Sequence, residues 1–410
     1  MSDTVTLADV DLLDPDVFRE GRHHEMFRVL REQDPVHWHE EPDGPGFWNV
    51  TTHADLVATN RDAASFSSAE GTNIPDLDEE SAGARDLMLN MDPPRHTRYR
   101  LLVNRGFTPR VVGRLEAALA ERTTRIVDTV IERGRCDFVT DVAAELPLQA
   151  IADLMGVPQD DRAKLFEWSN RLIGFDDPEF QGSREVGLAA AGEMYLYAND
   201  LAADRRANPR DDLVTTLVNG EIDGERLSEE EFDLFFLLLA VAGNETTRNA
   251  TAWGMRALIE NPGEYSKLVD DPDRHLDAAV EEILRWATPV LHFRRTALVD
   301  TEVGGQPVKA GDKVVMWHIS ANRDETVFDE PFRFDIERSP NDHIAFGGGG
   351  PHFCLGANLA RLELRLIFRE LVTRIADMEL DGDIDMLRSN FIGGIKRMPV
   401  RFTPAARVLG

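Results

Sequence analysis

Residues 343–361 read HIAFGGGGPHFCLGANLAR: four consecutive glycines, Gly347 to Gly350, lead into His352 and Cys354, and a segment with helical apolar spacing follows. Glycine loses more conformational freedom on folding than any other residue, so four in a row are costly unless the chain must take positive φ or approach another group closely, such as a flat ligand. Leu355, Leu359, Leu362 and Leu366 then fall at helical spacing, which puts Cys354 at the N-terminal end of a helix. Unpaired N–H groups and the helix dipole favour a thiolate there, and a thiolate so placed can bind a metal. A glycine-rich turn before a helix can also cradle phosphate, but the lysine and hydroxyl of a P-loop are absent. Zinc is disfavoured, because Cys354 and His352 are near neighbours and no second Cys or His pair stands at ligand spacing. A lone cysteine is by default a buried structural residue, so the rest of the chain must decide.

A second anomaly lies upstream. The sequence AGNETT, Ala242 to Thr247, ends the apolar stretch FDLFFLLLAVAG, which follows a capping box made by Ser228 and Glu231. An all-round apolar helix is a buried one, and this stretch falls short of the roughly 20 residues a membrane span needs. Within a core helix Gly243 costs about 1 kcal/mol relative to alanine, and Glu245 is expensive to desolvate. Both residues ask for a functional reason. A third feature, Glu282 and Arg285 in VEEILRW, follows a helix start at Asp271 and Pro272. Taken alone, such a pair three residues apart belongs to countless solvated helix faces and contributes roughly 0–1 kcal/mol.

Together, Phe346 followed by glycines, His352, Cys354 and Gly356, with AGNETT and the Glu282/Arg285 pair upstream in that order, resemble the cytochrome P450 monooxygenases. The resemblance runs along nearly the whole chain. Phe346 stands eight residues before Cys354, one more than in the commonest form of the motif, and an extra loop glycine absorbs the insertion. The GGGGPHFCLGAN version resembles an actinobacterial subset that oxidises sterol side chains and methyl-branched lipids.

The resemblance implies a mainly α fold with small β-sheets, a single cytochrome P450 domain over residues 1–410, and haem b with Cys354 as its iron ligand. It places Ala242, Gly243, Phe346 and Gly356 against the haem, with Gly243 leaving room for dioxygen, and makes Thr246 and Glu245 a relay for protons. The haem propionates fall to His96, Arg100, Arg295 and His352, with Arg294 one residue from the assigned position. Glu282 and Arg285, completed by Arg333 from EPFRFDIER, lock the haem-ligand loop. Thiolate ligation pushes electron density onto iron and favours O–O cleavage, and the relay then delivers protons to the departing oxygen.

Organisation agrees with one large unit: no linker, low-complexity tract or internal repeat interrupts the 410 residues. Helical patterns cover 14–32, 93–106, 109–133, 159–208 in two pieces, 228–260 and 356–376, and short strands are expected in 36–50, with PDGPG as the turn, and in 298–317. The acidic N-terminal stretch resembles neither a signal peptide nor a membrane anchor, so a soluble, cytoplasmic protein is expected. Cys136 reads as an inert structural residue. With 45 Lys and Arg against 74 Asp and Glu, the net charge of −29 argues against nucleic acid and anionic membrane as partners.

The implied partners are a ferredoxin and an NAD(P)H-dependent ferredoxin reductase, with O2 and an apolar small molecule as substrates. Arg361, Arg365 and Arg369, with Arg98, Arg105, Arg110 and Arg114, are expected to form a basic docking patch on the cysteine side. The acidic, irregular segment 71–91 suits a lid. By family position Met88, Leu89, Val290, Phe293 and Trp317 are candidate pocket residues, suited to a steroid, terpenoid or branched lipid. A polyketide hydroxylase, a peroxide-driven enzyme and a haem-thiolate sensor are the alternatives; retained Thr246 and Glu245 count against the peroxide-driven enzyme, and Thr246 with the 71–91 loop against the sensor.

Overall fold

The computed structural model describes residues 5–42, 44–77, 82–173, 177–179, 184–221, 224 and 226–409. The helices, in chain order, are α1 (Pro15–Arg19), α2 (His23–Gln33), α3 (His53–Arg61), α4 (Arg95–Asn104), α5 (Pro109–Ile131), α6 (Glu145–Met155), α7 (Arg162–Ile173), α8 (Arg184–Ala207), α9 (Leu213–Asn219), α10 (Glu229–Glu260), α11 (Pro262–Asp270), α12 (Pro272–Ala287), α13 (His318–Ala321) and α14 (Ala357–Arg374). The strands are β1 (Val36–His39), β2 (Phe47–Val50), β3 (Phe66–Ser67), β4 (Arg135–Asp137), β5 (His292–Ala297), β6 (Thr301–Val303), β7 (Gln306–Val308), β8 (Lys313–Trp317), β9 (Glu379–Leu380), β10 (Asp385–Met386), β11 (Ile395–Arg397) and β12 (Pro399–Arg401). The largest sheet has the order β1-β2-β8-β5-β3.

Helix α10 is the axis of the molecule. Its N-terminus carries the anticipated capping box, with Ser228 Oγ accepting from Glu231 N at 3.1 Å and the Glu231 carboxylate accepting from Ser228 N at 2.8 Å. Phe232, Phe235, Phe236, Leu239 and Ala240 are buried along it, within a core that also draws on α5, α6, α8, α12 and α14. A helix surrounded in this way packs against apolar neighbours along most of its middle and opens onto an apolar cavity at Leu238, Ala242 and Gly243, which explains the apolar run. No helix among the described residues is long and apolar enough to cross a membrane.

Several sequence expectations shift. The single helix expected over 14–32 is two, because Gly21 adopts φ 76° between α1 and α2. The segment 298–317 gives the hairpin β6–β7 and then β8, which is buried at every position instead of alternating. Its antiparallel partner β5, just before that segment, went unread, since consecutive arginines in HFRRTA disguise a strand. Helix α6 also went unread; Pro147 in its first turn and the π-helical Val139–Ala143 ahead of it mask the helical period. The two-piece helix expected over 159–208 is α7 and α8, although 174–176 and 180–183 fall outside the described residues.

Candidate active site

The cysteine loop closes on itself and on α3. Gly347 N donates to Ile344 O at 2.8 Å and Cys354 N to Phe346 O at 2.9 Å, so the loop's two arms meet at the Phe346 backbone. Gly350, at φ 78°, has no room for a side chain: a Cβ would lie 2.3 Å from the carbonyl oxygen of Asn60. Gly348 would likewise press on Val57, and Arg61 Nε holds the Gly348 carbonyl at 3.1 Å. The close approach expected of these glycines is therefore to helix α3 and not to a flat ligand; of the run, Gly347 alone lines the cavity beside Cys354. Burial pushes the Cys354 thiol up, while the N–H groups of Gly356 and Ala357 at the start of α14 and the cations Arg100 and Arg361 pull it back toward thiolate.

Across the cavity, α10 presents Ala242, Gly243, Thr246 and Thr247. The Thr246 hydroxyl donates to Ala242 O at 2.9 Å, which leaves its oxygen lone pairs free. Among the described residues the wall includes Thr246 but not Glu245. Glu245 is buried and bound by Arg248, whose guanidinium also donates to Asn170 on α7 at 3.2 Å. Burial pushes the Glu245 carboxyl up and Arg248 opposes that. Gly243 lies on the cavity wall, and a Cβ there would lie 2.9 Å from Ile151 Cδ1, so glycine also lets α6 pack against α10.

The other end of the cavity is basic. His96 and Arg100 on α4, Arg295 on β5 and His352 line it together. The His96 and His352 rings lie 4.1 Å apart, His352 Nε2 meets Ser68 Oγ at 3.2 Å, and the Arg100 guanidinium donates to the Phe353 carbonyl. Arg295 is buried, and its recorded partners are the Arg294 carbonyl at 2.8 Å and Asn60 Oδ1 at 3.4 Å. Among the described residues no carboxylate pairs with Arg100 or Arg295. Burial and mutual repulsion hold His96 down at about 4 and His352 at about 2, and burial lowers Arg295 to about 10. His96 Nδ1 is buried without a partner. Buried cations with no counter-charge are costly, and this cluster fits a bound anion such as the two carboxylates of a haem, set beside a cysteine. Strand alternation separates the neighbouring arginine: Arg294 faces away, donating to Ile74 O at 3.1 Å and pairing with Asp76 at 2.7 Å.

The lock forms, with one substitution of partner. Glu282 and Arg285 are fully buried on α12 and meet through two bonds of 2.7 Å. Arg333 is the wrong third member: its side chain is exposed and pairs with Glu330 at 3.0 Å. The guanidinium that reaches Glu282 belongs to Arg338, at 3.2 Å. Arg333 supplies only its carbonyl, which accepts from Arg338 at 2.8 Å and Arg285 at 3.3 Å. The peptide turns after Arg333, placing Asp335 N on Glu282 at 3.0 Å and folding Arg338 back inward. Asn341 Nδ2, at 3.2 Å from Glu282, and Asn322, which accepts from Ile344 N at 2.8 Å, carry the lock into the cysteine loop.

Met88, Leu89, Val290 and Phe293 all lie on the cavity wall. Trp317 does not: it packs with Phe18 and Phe27 and donates to Asn49 at 2.6 Å. Of the expected lid 71–91, residues 78–81 lie outside the described ones. Its first part is anchored, with Lys313 Nζ donating to Ile74 O at 3.2 Å and pairing with Asp76 at 3.0 Å. The arginine row of α14 is not a bare basic surface, because Arg361, Arg365 and Arg369 face Glu281, Asp277 and Asp273 of α12 at 2.7, 3.7 and 2.6 Å, and Arg114 faces Asp211 at 3.1 Å. Among the wall residues that the motifs do not announce are Ile151, His318 and Glu363. Glu363 had a visible signal, an acid on the inner face of the α14 heptads. It is buried, has no charged partner among the described residues, and burial pushes its carboxyl up to about 8.

A helical core crossed by one long helix, with a looped cysteine on one side of a cavity and a basic cluster at its edge, is an arrangement suited to a haem protein. Comparison with known proteins agrees. The family model for cytochrome P450 matches residues 119–376. A steroid C26-monooxygenase of Mycolicibacterium smegmatis is 44% identical, over 98% of this chain and 95% of its own length. A methyl-branched lipid omega-hydroxylase of Mycobacterium tuberculosis is 43% identical over 97% of this chain and 96% of its own. The structure of a Mycobacterium marinum cytochrome P450 in complex with pseudoionone superposes with a TM-score of 0.91 at 42% identity, covering 96% of this chain and 98% of that one. The chain belongs to the cytochrome P450 family, and it is a haem-dependent monooxygenase acting on an apolar small molecule.

Proposed function

We propose that this cytochrome P450 hydroxylates a steroid side chain or a methyl-branched lipid, as one domain over residues 1–410. It holds haem b through Cys354 and works in the cytoplasm with electrons passed from NAD(P)H by a ferredoxin reductase and a ferredoxin. The observation that carries this reading is the polarity of the cavity. Cys354 and the cluster of His96, Arg100, Arg295 and His352 occupy one side, while Met88, Leu89, Leu238, Leu239, Val290 and Phe293 give the rest an apolar wall. Such a wall recognises a hydrocarbon by burial, at about 25 cal/mol per Å². The names of the relatives support a steroid or methyl-branched chain.

The overall reaction is RH + O2 + 2e⁻ + 2H⁺ giving ROH + H2O. The haem iron, when bound, supplies activation of O2 and transfer of one oxygen atom, with Cys354 as its ligand and Phe346, Gly356, Ala242 and Gly243 against it. The residues of the chain do the rest. Arg100 and Arg295 would balance the charge of the two propionates, and His96 and His352, held neutral, would donate hydrogen bonds to them. Thr246 must turn its hydroxyl from the Ala242 carbonyl to donate into the cavity. Glu245 is the acid that resupplies it, and because it lies off the wall it does so after releasing Arg248. The Glu282, Arg285 and Arg338 network keeps the ligand loop in register.

Turnover in a reconstituted ferredoxin system tests the proposal. With ¹⁸O2, a steroid bearing its side chain or a methyl-branched fatty acid should gain one labelled oxygen at the chain. Oxidation confined to a polyketide, or turnover supported by peroxide but not by the redox chain, would overturn it.

A further inference from the structure

Helix α12 carries two consecutive acids, and they serve different partners. Glu282 is consumed by the buried lock. Glu281 points to α14, where its carboxylate takes Arg361 in a two-pronged bridge, Nε to Oε1 at 2.7 Å and Nη2 to Oε2 at 2.8 Å. The same carboxylate meets His343 Nε2 at 3.0 Å, while His343 Nδ1 accepts from Ala345 N at 3.2 Å. The second bond assigns the ring proton to Nε2, so His343 donates to Glu281 in its neutral form. Glu281 therefore joins three pieces: α12, the first residues of the cysteine loop, and the helix that follows the cysteine.

The consequence falls on Arg361. Gripped by Glu281, its guanidinium lies over the Phe346 ring, 4.5 Å from the centroid. Phe346 lines the cavity, and its carbonyl accepts the Cys354 amide. Phe346 thus stands between the Arg361 guanidinium on its ring and the Cys354 amide on its carbonyl, and no other residue separates them along this route. Arg100 points to the anion cluster, whereas Arg361 has a dedicated counter-charge. A cation fixed in place but paired with a carboxylate acts on the sulfur as a dipole rather than a full charge, and that difference is set by Glu281.

We propose that Glu281 is a positioning residue for the cysteine ligand: it pins Arg361 over Phe346 and offsets its charge, and so sets the reduction potential of iron bound at Cys354. This rests on Cys354 being the iron ligand. Adding an electron at the iron is favoured by net positive charge nearby, so each partner has a sign. Glu281→Gln leaves Arg361 uncompensated and should shift the ferric/ferrous potential upward. Arg361→Gln leaves the carboxylate and should shift it downward. The double variant should return close to the parent protein.

Redox titration of the haem-loaded proteins, with the reduced carbon monoxide spectrum recorded for each, tests this. Opposite shifts that cancel in the double variant are the expected result. Shifts of the same sign, or none in proteins that keep a thiolate-type spectrum, would overturn the proposal and leave Glu281 a purely structural bridge. If Glu281→Gln does not take up haem, Arg361→Gln decides by its sign alone. Loss of the thiolate spectrum in the parent protein is a different failure, that of the ligand assignment itself.

Discussion

The two walls of the cavity are held by different forces. The cysteine wall, made by residues 341–356 with α12 and the start of α14, is secured by charge and hydrogen bonds. Glu282 alone collects Arg285, Arg338, Asn341 and the Asp335 amide, and Glu281 collects Arg361 and His343. The substrate-side wall is apolar: Met88 and Leu89 come from a short 3-10 turn, and Val290 and Phe293 from the entry to a sheet. Directional bonds fix atoms to fractions of an ångström, while apolar contacts tolerate changes of shape at similar volume. The wall that must place one sulfur atom is thus the bonded one. On the proposed function, the wall that accepts the hydrocarbon is the adaptable one, so reaction type and substrate choice reside in separate parts of the chain.

The largest break in this comparison comes from Cys354→His, which should abolish oxygen insertion, because a neutral imidazole lacks the electron push of a thiolate; product formation in the reconstituted system measures it. Next is the lock. Glu282→Ala strands two buried guanidinium groups and should cost about 3–5 kcal/mol in denaturant unfolding, with lower haem content. Arg338→Ala should follow it, whereas Arg333→Ala, at an exposed pair, should stay within about 1 kcal/mol of the parent. Equal effects of the two arginine variants would refute the assignment.

Thr246→Ala should leave folding and haem content unchanged and divert electrons from product to hydrogen peroxide, read as the ratio of peroxide to product per NAD(P)H. Glu363 gives a pH signature. Its carboxyl stays protonated in the fold up to about 8 but ionises near its usual lower value once unfolded. The unfolded chain then binds fewer protons, so this group lowers stability as pH rises between those limits, by about 1.4 kcal/mol per unit where it titrates alone. Glu363→Gln should therefore gain stability over the parent at pH 8 and lose that advantage near pH 4; a pH-independent difference would contradict the assignment. The smallest effect belongs to the adaptable wall. Phe293→Ala should weaken binding of a bulky apolar substrate by about 1–2 kcal/mol, roughly tenfold, with chemistry intact.

Which parts of this were legible in the sequence follows from how local each signal is. Cys354, Thr246 and the pair Glu282/Arg285 sit in short motifs whose joint order is specific. The capping box of α10 is a four-residue signal, and it forms as read. Arg338 was not legible, because EPFRFDIER offers two arginines and only the turn after Arg333 selects between them. The glycines at 348 and 350 answer to Val57 and Asn60, about 290 residues earlier in the chain, a partner no local pattern can announce. The same holds for Gly243 and Ile151. The arginine row on α14 was visible, but its carboxylates lie on α12, and a row of charges reads as a bare surface until its neighbour is known.

The visible difference spectrum of the reduced protein with carbon monoxide, taken beside Cys354→His, tests the central claim most directly. A strongly red-shifted Soret band is expected in the parent protein, replaced in the variant by that of a histidine-ligated haem. A parent spectrum of the histidine type, or a red-shifted band that survives in the variant, would contradict it.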